Sequence, residues 1–292
     1  MTPALWILAG GVLALAVILL DRLALSLIRP ARRPYHRVPR EAHRVEEASI
    51  PAPYLLRGWL LHPVRDEGRP LVILCHGWGG NGGTLLPLAD ALVLRGHPTL
   101  LFDVRGHGRS EGAPYVTIRH FRDDVTTAFA WMAERFPDRK IAFVGHSMGG
   151  AAAVLAAAEG TPVHGLALVA APADVLQVTA VFLAERGLPG RLVVRLCRPF
   201  WTLRIREWPR RLVPERRIRE LRVPVIVIQP GEDRRVSPDQ ARRLARAAGT
   251  DVHIVGGASH TNVLEDPETH RLVSALLDRV AAGDDQAPAR SR

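Results

Sequence analysis

Gly145-His146-Ser147-Met148-Gly149-Gly150 decides the fold. It follows a short apolar run, Ile141–Val144, and opens an alanine-rich helical stretch, Met148–Glu159. A G-x-S-x-G between strand and helix predicts a serine held on a sharp, strained turn. Glycine is required on both sides of it, because a side chain at Gly145 or Gly149 would run into the flanking strand or helix. The helix start behind Ser147 offers a positive dipole and, from Met148, a free N–H suited to an oxyanion. Ser147 is therefore the candidate nucleophile.

The same alternation runs outward in both directions. Apolar runs rich in β-branched residues lie at Leu71–Cys75, Thr99–Phe102, Leu166–Val169, Val225–Ile228 and Val252–Val255, each ending in turn residues. Helical periods separate them at Leu85–Arg95, Arg119–Arg135, Pro238–Ala248 and Pro267–Val280. Continuous apolar strands between helices predict an α/β protein with a mostly parallel sheet covered on both faces. Arg44–Val64 predicts an antiparallel lead-in to that sheet. In such sheets the chemistry gathers at the C-terminal ends of the strands.

Four more motifs sit at those ends. His76-Gly77-Trp78-Gly79-Gly80-Asn81 follows the Leu71 run, and Asp103-Val-Arg-Gly-His-Gly-Arg-Ser110 follows the Thr99 run. Gly231-Glu232-Asp233-Arg234-Arg235-Val236-Ser237-Pro238 follows the Val225 run, and Gly257-Ala258-Ser259-His260 follows the last one. With the serine turn, these motifs make residues 50–280 resemble the α/β-hydrolase superfamily. Within it they are similar to the membrane-anchored or lipid-directed serine hydrolases that include the monoglyceride-lipase-like proteins.

The resemblance implies an α/β-hydrolase fold: a mostly parallel eight-stranded sheet flanked by helices, with a helical lid insert and an N-terminal transmembrane helix. The family order is Ser, then acid, then His. It implies Asp233 as the acid, with Glu232 as the alternative, and His260 as the base. Twelve histidines compete for that role; His260 is preferred for its place after the final strand, whereas His253 lies inside it. The family's H-G-x-x-G loop implies an oxyanion hole made of the backbone N–H groups of Trp78 and Met148. Trp78 and His146 are the candidate substrate contacts. His76 is read as holding its loop rather than moving protons. Asp103 and Arg105 are read as bracing the active-site loops, with substrate contact by His107 or Arg109 as the alternative.

Charge separates the partners. The net charge is +10, and Lys140 is the only lysine. Residues 21–44 carry +5 and residues 174–222 carry +7, which leaves the rest at −2. No helix-turn-helix, zinc finger or RNP pattern accompanies this charge, so nucleic acid is not an expected partner. The first basic block directly follows Pro3–Leu20, an uncharged run about 27 Å long as a helix. That places residues 1–28 as a membrane anchor rather than a cleaved signal peptide, with residues 29–49 as a basic juxtamembrane linker on an anionic lipid surface. Arginines on the C-terminal side alone predict a single pass with the catalytic domain in the cytoplasm. Residues 50–281 form the hydrolase domain, and 282–292 read as a disordered tail. Within the insert 174–222, Trp201, Ile205 and Trp208 fall at i, i+4, i+7 on one predicted helix face, ringed by Arg204, Arg206, Arg210 and Arg211. That pattern fits either an interfacial lid or an ordinary packed face.

Cys75 and Cys197 make no disulfide framework, and no Cys/His cluster has zinc spacing, so no metal or cofactor is expected. The expected activity is hydrolysis of an acyl ester or lipid through an acyl-serine intermediate. A peptidase, thioesterase or acyltransferase would use the same triad. A non-catalytic binding protein on this fold would be signalled by loss of a triad member, and none is lost.

Overall fold

The computed structural model describes residues 2–30, 32–39 and 44–283; most of the stretch read as a tail lies outside them. The strands are β1 (Arg44–Ile50), β2 (Leu56–His62), β3 (Leu71–Cys75), β4 (Thr99–Phe102), β5 (Ile141–His146), β6 (Gly165–Val169), β7 (Val225–Pro230) and β8 (Val252–Val255). They form one sheet in the order β1-β2-β4-β3-β5-β6-β7-β8. β2 runs antiparallel to both β1 and β4, and the remaining pairs are parallel.

The helices are α1 (Pro3–Leu27), α2 (Leu86–Leu94), α3 (Ile118–Arg135), α4 (Met148–Ala158), α5 (Val175–Ala184), α6 (Gly190–Ile205), α7 (Pro214–Arg217), α8 (Pro238–Ala248) and α9 (Pro267–Ala282). Period-two alternation divides each central strand between the two faces. Leu71, Ile73 and Cys75 of β3 pack with Phe121 and Val125 of α3, alanines of α4 and Leu244 of α8. Val72 and Leu74 face the opposite layer, with Leu88 and Leu92 of α2 and Leu276 and Leu277 of α9. Burying one such side chain is worth about 1.5–3 kcal/mol, so both layers hold the sheet firmly. The C-terminal edges of β3, β5, β7 and β8 are thereby fixed beside one another.

α1 is long and apolar enough to cross a membrane, with a mean hydropathy of 2.5 over its best window. Its residues up to Leu19 are exposed. Near its C-terminal end Ala24 is buried against Leu183 of α5 and Val194, Cys197 and Trp201 of α6. Asp21 pairs with Arg204 at 2.7 Å, and Ile28 accepts a hydrogen bond from Val116 N–H at 2.8 Å.

Two expectations change here. The stretch 29–49 is not a linker throughout, because its last residues form β1 and residues 32–39 dock on the domain. Arg32 Nη2 donates to Ser110 O at 2.6 Å. Tyr35 packs edge-on against Trp59, with ring centroids 5.0 Å apart, and its hydroxyl donates to Asp103. Arg37 pairs with Glu265 at 2.9 Å. The second correction concerns Trp208, which does not share a helix face with Trp201 and Ile205. α6 stops at Ile205, Arg206 turns left-handed at φ 52°, and Pro209 disfavours helix at the residue before it. Glu207 is drawn instead to Arg122, at 2.8 Å. Trp208 ends up largely exposed, while Trp201 is buried.

Candidate active site

The serine turn is built as its glycines require. Ser147 sits at φ 53°, ψ −120° between β5 and α4, a conformation costing about 1–3 kcal/mol that only an over-determined surrounding maintains. A Cβ on Gly145 would lie 2.3 Å from Gly150 Cα, and one on Gly149 2.2 Å from Cys75 O. Ser147 N–H donates to Val169 O at 2.9 Å, which pins the turn to β6.

The loop after β3 passes directly against this turn: a Cβ on Gly77 would lie 2.9 Å from Ser147 Cβ. His76 holds the loop. Its Nδ1–H donates to Gly77 O at 2.8 Å, and its Nε2 accepts from Val104 N–H at 3.1 Å. Both ring nitrogens are spent on a neutral tautomer, and burial lowers its pKa to about 4. The main-chain N–H groups of Trp78 and Met148 donate to no other described residue. Both residues line the same cavity as Ser147. The Trp78 indole stacks near Phe121 and meets His107 edge-on.

Asp233, not Glu232, faces His260. Asp233 Oδ1 accepts from the N–H groups of Arg235 at 2.8 Å and Val236 at 3.0 Å. Its Oδ2 lies 2.7 Å from His260 Nδ1. With the carboxylate fully buried, Nδ1 carries the donated proton and Nε2 is left for the cavity. Gln229 Nε2 donates to Val236 O at 2.9 Å and braces the acid turn. Glu232 is exposed and contributes only its N–H, to Ala258 O.

His146 lies under both halves of the site. Its Nε2–H donates to His260 O at 2.7 Å, and its ring packs 4.8 Å from that of His260. Burial, then the neighbouring His260, lower its pKa to about 3. It lines the cavity, and it also ties the serine turn to the histidine loop. Ser147 Oγ makes no hydrogen bond to another described residue. A nucleophile–base contact is often looser without substrate.

In the Asp103–Ser110 motif, Asp103 and Arg105 each hold a different part of the surrounding structure. Asp103 accepts from Gly82 N–H and Arg109 N–H, each at 2.8 Å, and from Tyr35. Arg105 forms a buried pair with Asp124. His107 is buried and Arg109 pairs with Glu47 at 2.8 Å; neither lines the cavity.

That cavity has a volume of about 410 Å³. Its apolar wall includes Leu176 and Phe182 of α5, Trp201 and Ile205 of α6, and Leu27 and Ile28 at the end of α1. Arg33, Pro34 and His36 of the neck and Arg235 of the acid turn complete it. The 174–222 insert is expected there as a lid, but the contributions of α1 and the neck are not anticipated from the sequence. The signal was Tyr35 with Pro30 and Pro34, rigid and aromatic residues ill suited to a solvated tether. Among the described residues no three His, Cys, Asp or Glu side chains come together as metal ligands.

A family model described as serine aminopeptidase, S33, matches residues 66–215, half of the chain. The chain is an α/β-hydrolase of this serine hydrolase family. An uncharacterized protein of Mycobacterium tuberculosis is 31% identical over 218 residues, covering 73% of this chain and 69% of that one. Mouse monoglyceride lipase is 34% identical over 146 residues, covering 45% of this chain and 48% of the lipase. Among solved structures, a Pyrococcus furiosus esterase superposes with a TM-score of 0.68 at 20% identity, covering 86% of this chain and 97% of the esterase. A membrane phospholipase A, described as a bacterial virulence factor, superposes with a TM-score of 0.60 at 21% identity, covering 95% and 96%. The two structures share the fold with this hydrolase.

Proposed function

We propose that this hydrolase is a membrane-anchored esterase that cleaves long-chain carboxylic esters of lipids through an acyl-Ser147 intermediate. Ser147 Oγ attacks the ester carbonyl while His260 Nε2 takes its proton. The oxyanion is held by the N–H groups of Trp78 and Met148, each such donor being worth about 3–4 kcal/mol of barrier. His260 returns the proton to the departing alkoxide. Water then attacks the acyl-enzyme by the same route and releases the acid. Asp233 fixes the imidazole tautomer and stabilises the imidazolium.

The observation that carries the lipid reading is the wall of the cavity. Leu27 and Ile28, at the end of the membrane-length helix, stand in one cavity with Ser147 and His260. An apolar acyl chain is what such a wall solvates best. Support for a lid at the bilayer comes from α6 and its approach. Leu188, Leu192, Leu196, Leu203 and Trp208 are exposed there, beside a helix that is itself apolar on all sides, while Arg206, Arg210 and Arg211 point to solvent. The arginines that follow α1 support a cytoplasmic catalytic domain. An aminopeptidase reading finds less support. A free α-amine calls for a carboxylate, and the described cavity wall offers none.

The test is fluorophosphonate labelling of the full chain, followed by turnover of p-nitrophenyl esters of graded chain length. Label on the wild type, none on Ser147→Ala, and kcat/KM rising with acyl length are expected. No label, or equal label on both proteins, removes the esterase reading. A preference for acetyl over long acyl chains removes the lipid reading.

A further inference from the structure

The cavity wall carries two permanently charged side chains among the described residues, Arg33 and Arg235. It carries no carboxylate to offset them. Both residues are exposed, and neither guanidinium bonds to another described residue; unlike the equally unpartnered Arg234, they line the cavity. Arg32 is spent on Ser110 O, Arg37 on Glu265 and Arg204 on Asp21. The acid nearest Arg235 in sequence is Asp233. Its Oδ1 is taken by two main-chain N–H groups and its Oδ2 by His260.

Arg33 is held in place by its backbone. Asn81 Nδ2 donates to the carbonyls of Arg33 and Pro34, each at 3.2 Å, and Arg32 and Tyr35 are docked on either side of that pair. A Cβ on Gly79 would lie 3.6 Å from Arg33 Cζ, so the guanidinium rests against the loop that carries Trp78. Arg235 stands on the turn that carries Asp233. Arg33 and Arg235 thus reach the cavity that holds Ser147 and His260 from distant parts of the chain. Two unneutralised cations beside a partly apolar cavity favour an anion there, and a guanidinium fork matches phosphate and carboxylate oxygens in pairs.

We propose that Arg33 and Arg235 recognise an oxyanion, phosphate or carboxylate, on the alcohol side of an amphiphilic ester whose acyl chain lies along the apolar wall. The proposal rests on the esterase reading above and adds the head-group class. It makes the juxtamembrane neck a determinant of specificity.

The test uses the full chain in nonionic micelles with three esters of one lauroyl chain: 1-lauroylglycerol, 1-lauroylglycerol 3-phosphate and the lauroyl ester of glycerate. The readout is kcat/KM for each charged ester divided by kcat/KM for the neutral one. In the wild type at least one ratio is expected to exceed about ten, the size of effect that charge-assisted hydrogen bonds give. The favoured anion identifies the head group as phosphate, carboxylate or either. Arg33→Gln and Arg235→Gln should each lower that ratio about tenfold, and Arg33→Lys should retain part of it. Arg271→Gln, which removes an exposed arginine paired with Glu268, should leave it unchanged. A wild-type ratio near one overturns the proposal, as does a ratio unmoved in both Gln variants. Should a Gln variant fail to fold, the wild-type ratio decides. A wild type that cleaves none of the three esters overturns the esterase reading instead.

Discussion

The indole Nε1–H of Trp201 donates to the main-chain carbonyl of Ala24, 2.8 Å away. One hydrogen bond thus joins the insert after β6 to the N-terminal helix, across 177 residues of sequence. Around it Leu183, Val194 and Cys197 close an apolar cluster of their own. The N-terminal helix is therefore packed onto the cap of the active-site cavity.

Trp201→Phe keeps most of the ring volume and removes the donor. The expected loss is about 1–2 kcal/mol, seen as a Tm drop of about 2–4 °C in detergent-solubilised protein. Arg204→Gln should cost less, because its partner Asp21 is part-exposed and such pairs are screened by solvent. A larger drop for Arg204→Gln than for Trp201→Phe would contradict this ranking.

The two neighbouring acids separate cleanly. Asp233→Asn should reduce kcat by a factor on the order of 10⁴, through loss of the correct imidazole tautomer. Glu232→Gln, at an exposed position facing away from His260, should stay within about twofold of wild type. Steady-state kinetics on one p-nitrophenyl ester read both. Comparable losses in the two variants would reassign the acid.

Gly149→Ala places a methyl group 2.2 Å from Cys75 O. The clash is with main chain rather than with a side chain that could swing aside, so a destabilisation of about 3 kcal/mol is expected. Thermal unfolding measures it. Gly160→Ala is the comparison for a glycine with open space around it, although its φ of +99° makes even that change mildly strained.

Acid should weaken the fold through its buried histidines. Burial lowers His76 and His120 to about 4, while His107 and His146 fall to about 3, the neighbouring His76 adding to the effect at His107. The unfolded chain titrates near 6.5, so below that pH it binds protons that the folded chain refuses. The stability these neutral rings contribute is complete above about pH 6.5 and is lost as pH falls toward 4 and 3. A Tm profile from pH 7.5 to 4 should decline below 6.5. His107→Phe, which keeps the ring among Trp78 and Phe121, should decline less steeply.

Topology is open to direct measurement. A green fluorescent protein fused after residue 292 should fluoresce, and an alkaline phosphatase fused there should be inactive, if the catalytic domain is cytoplasmic. The reverse pattern would place it outside.

The sheet was legible because its central strands are buried on both sides. Leu71–Cys75, Thr99–Phe102 and Val252–Val255 keep as strands the bounds of their apolar runs. β5 runs two residues further, because Gly145 and His146 still pair with Leu168 and Val169 of β6. The motifs at strand ends single out Ser147, Asp233 and His260, of which Asp233 meets His260 and Ser147 shares a cavity with His260. His146 was readable as a cavity residue, but its bond to His260 O joins two loops far apart in sequence and leaves no local pattern. The neck was misread for the same reason. Its arginine content speaks of solvent and lipid, while Tyr35 and the main-chain carbonyls that dock it find their partners on Asp103 and Asn81. Trp208 was misassigned because periodicity continues through a helix end that Pro209 and the Arg122–Glu207 pair impose.

The neck has a practical consequence. Cutting such a chain at the first strand to obtain a soluble catalytic fragment is an ordinary step. Here that cut would remove Leu27, Ile28, Arg33 and Pro34 from the cavity wall and uncover Trp59 and Trp201. Such a fragment would keep Ser147, Asp233 and His260 yet differ in substrate range, and its selectivity would describe the truncation rather than the enzyme.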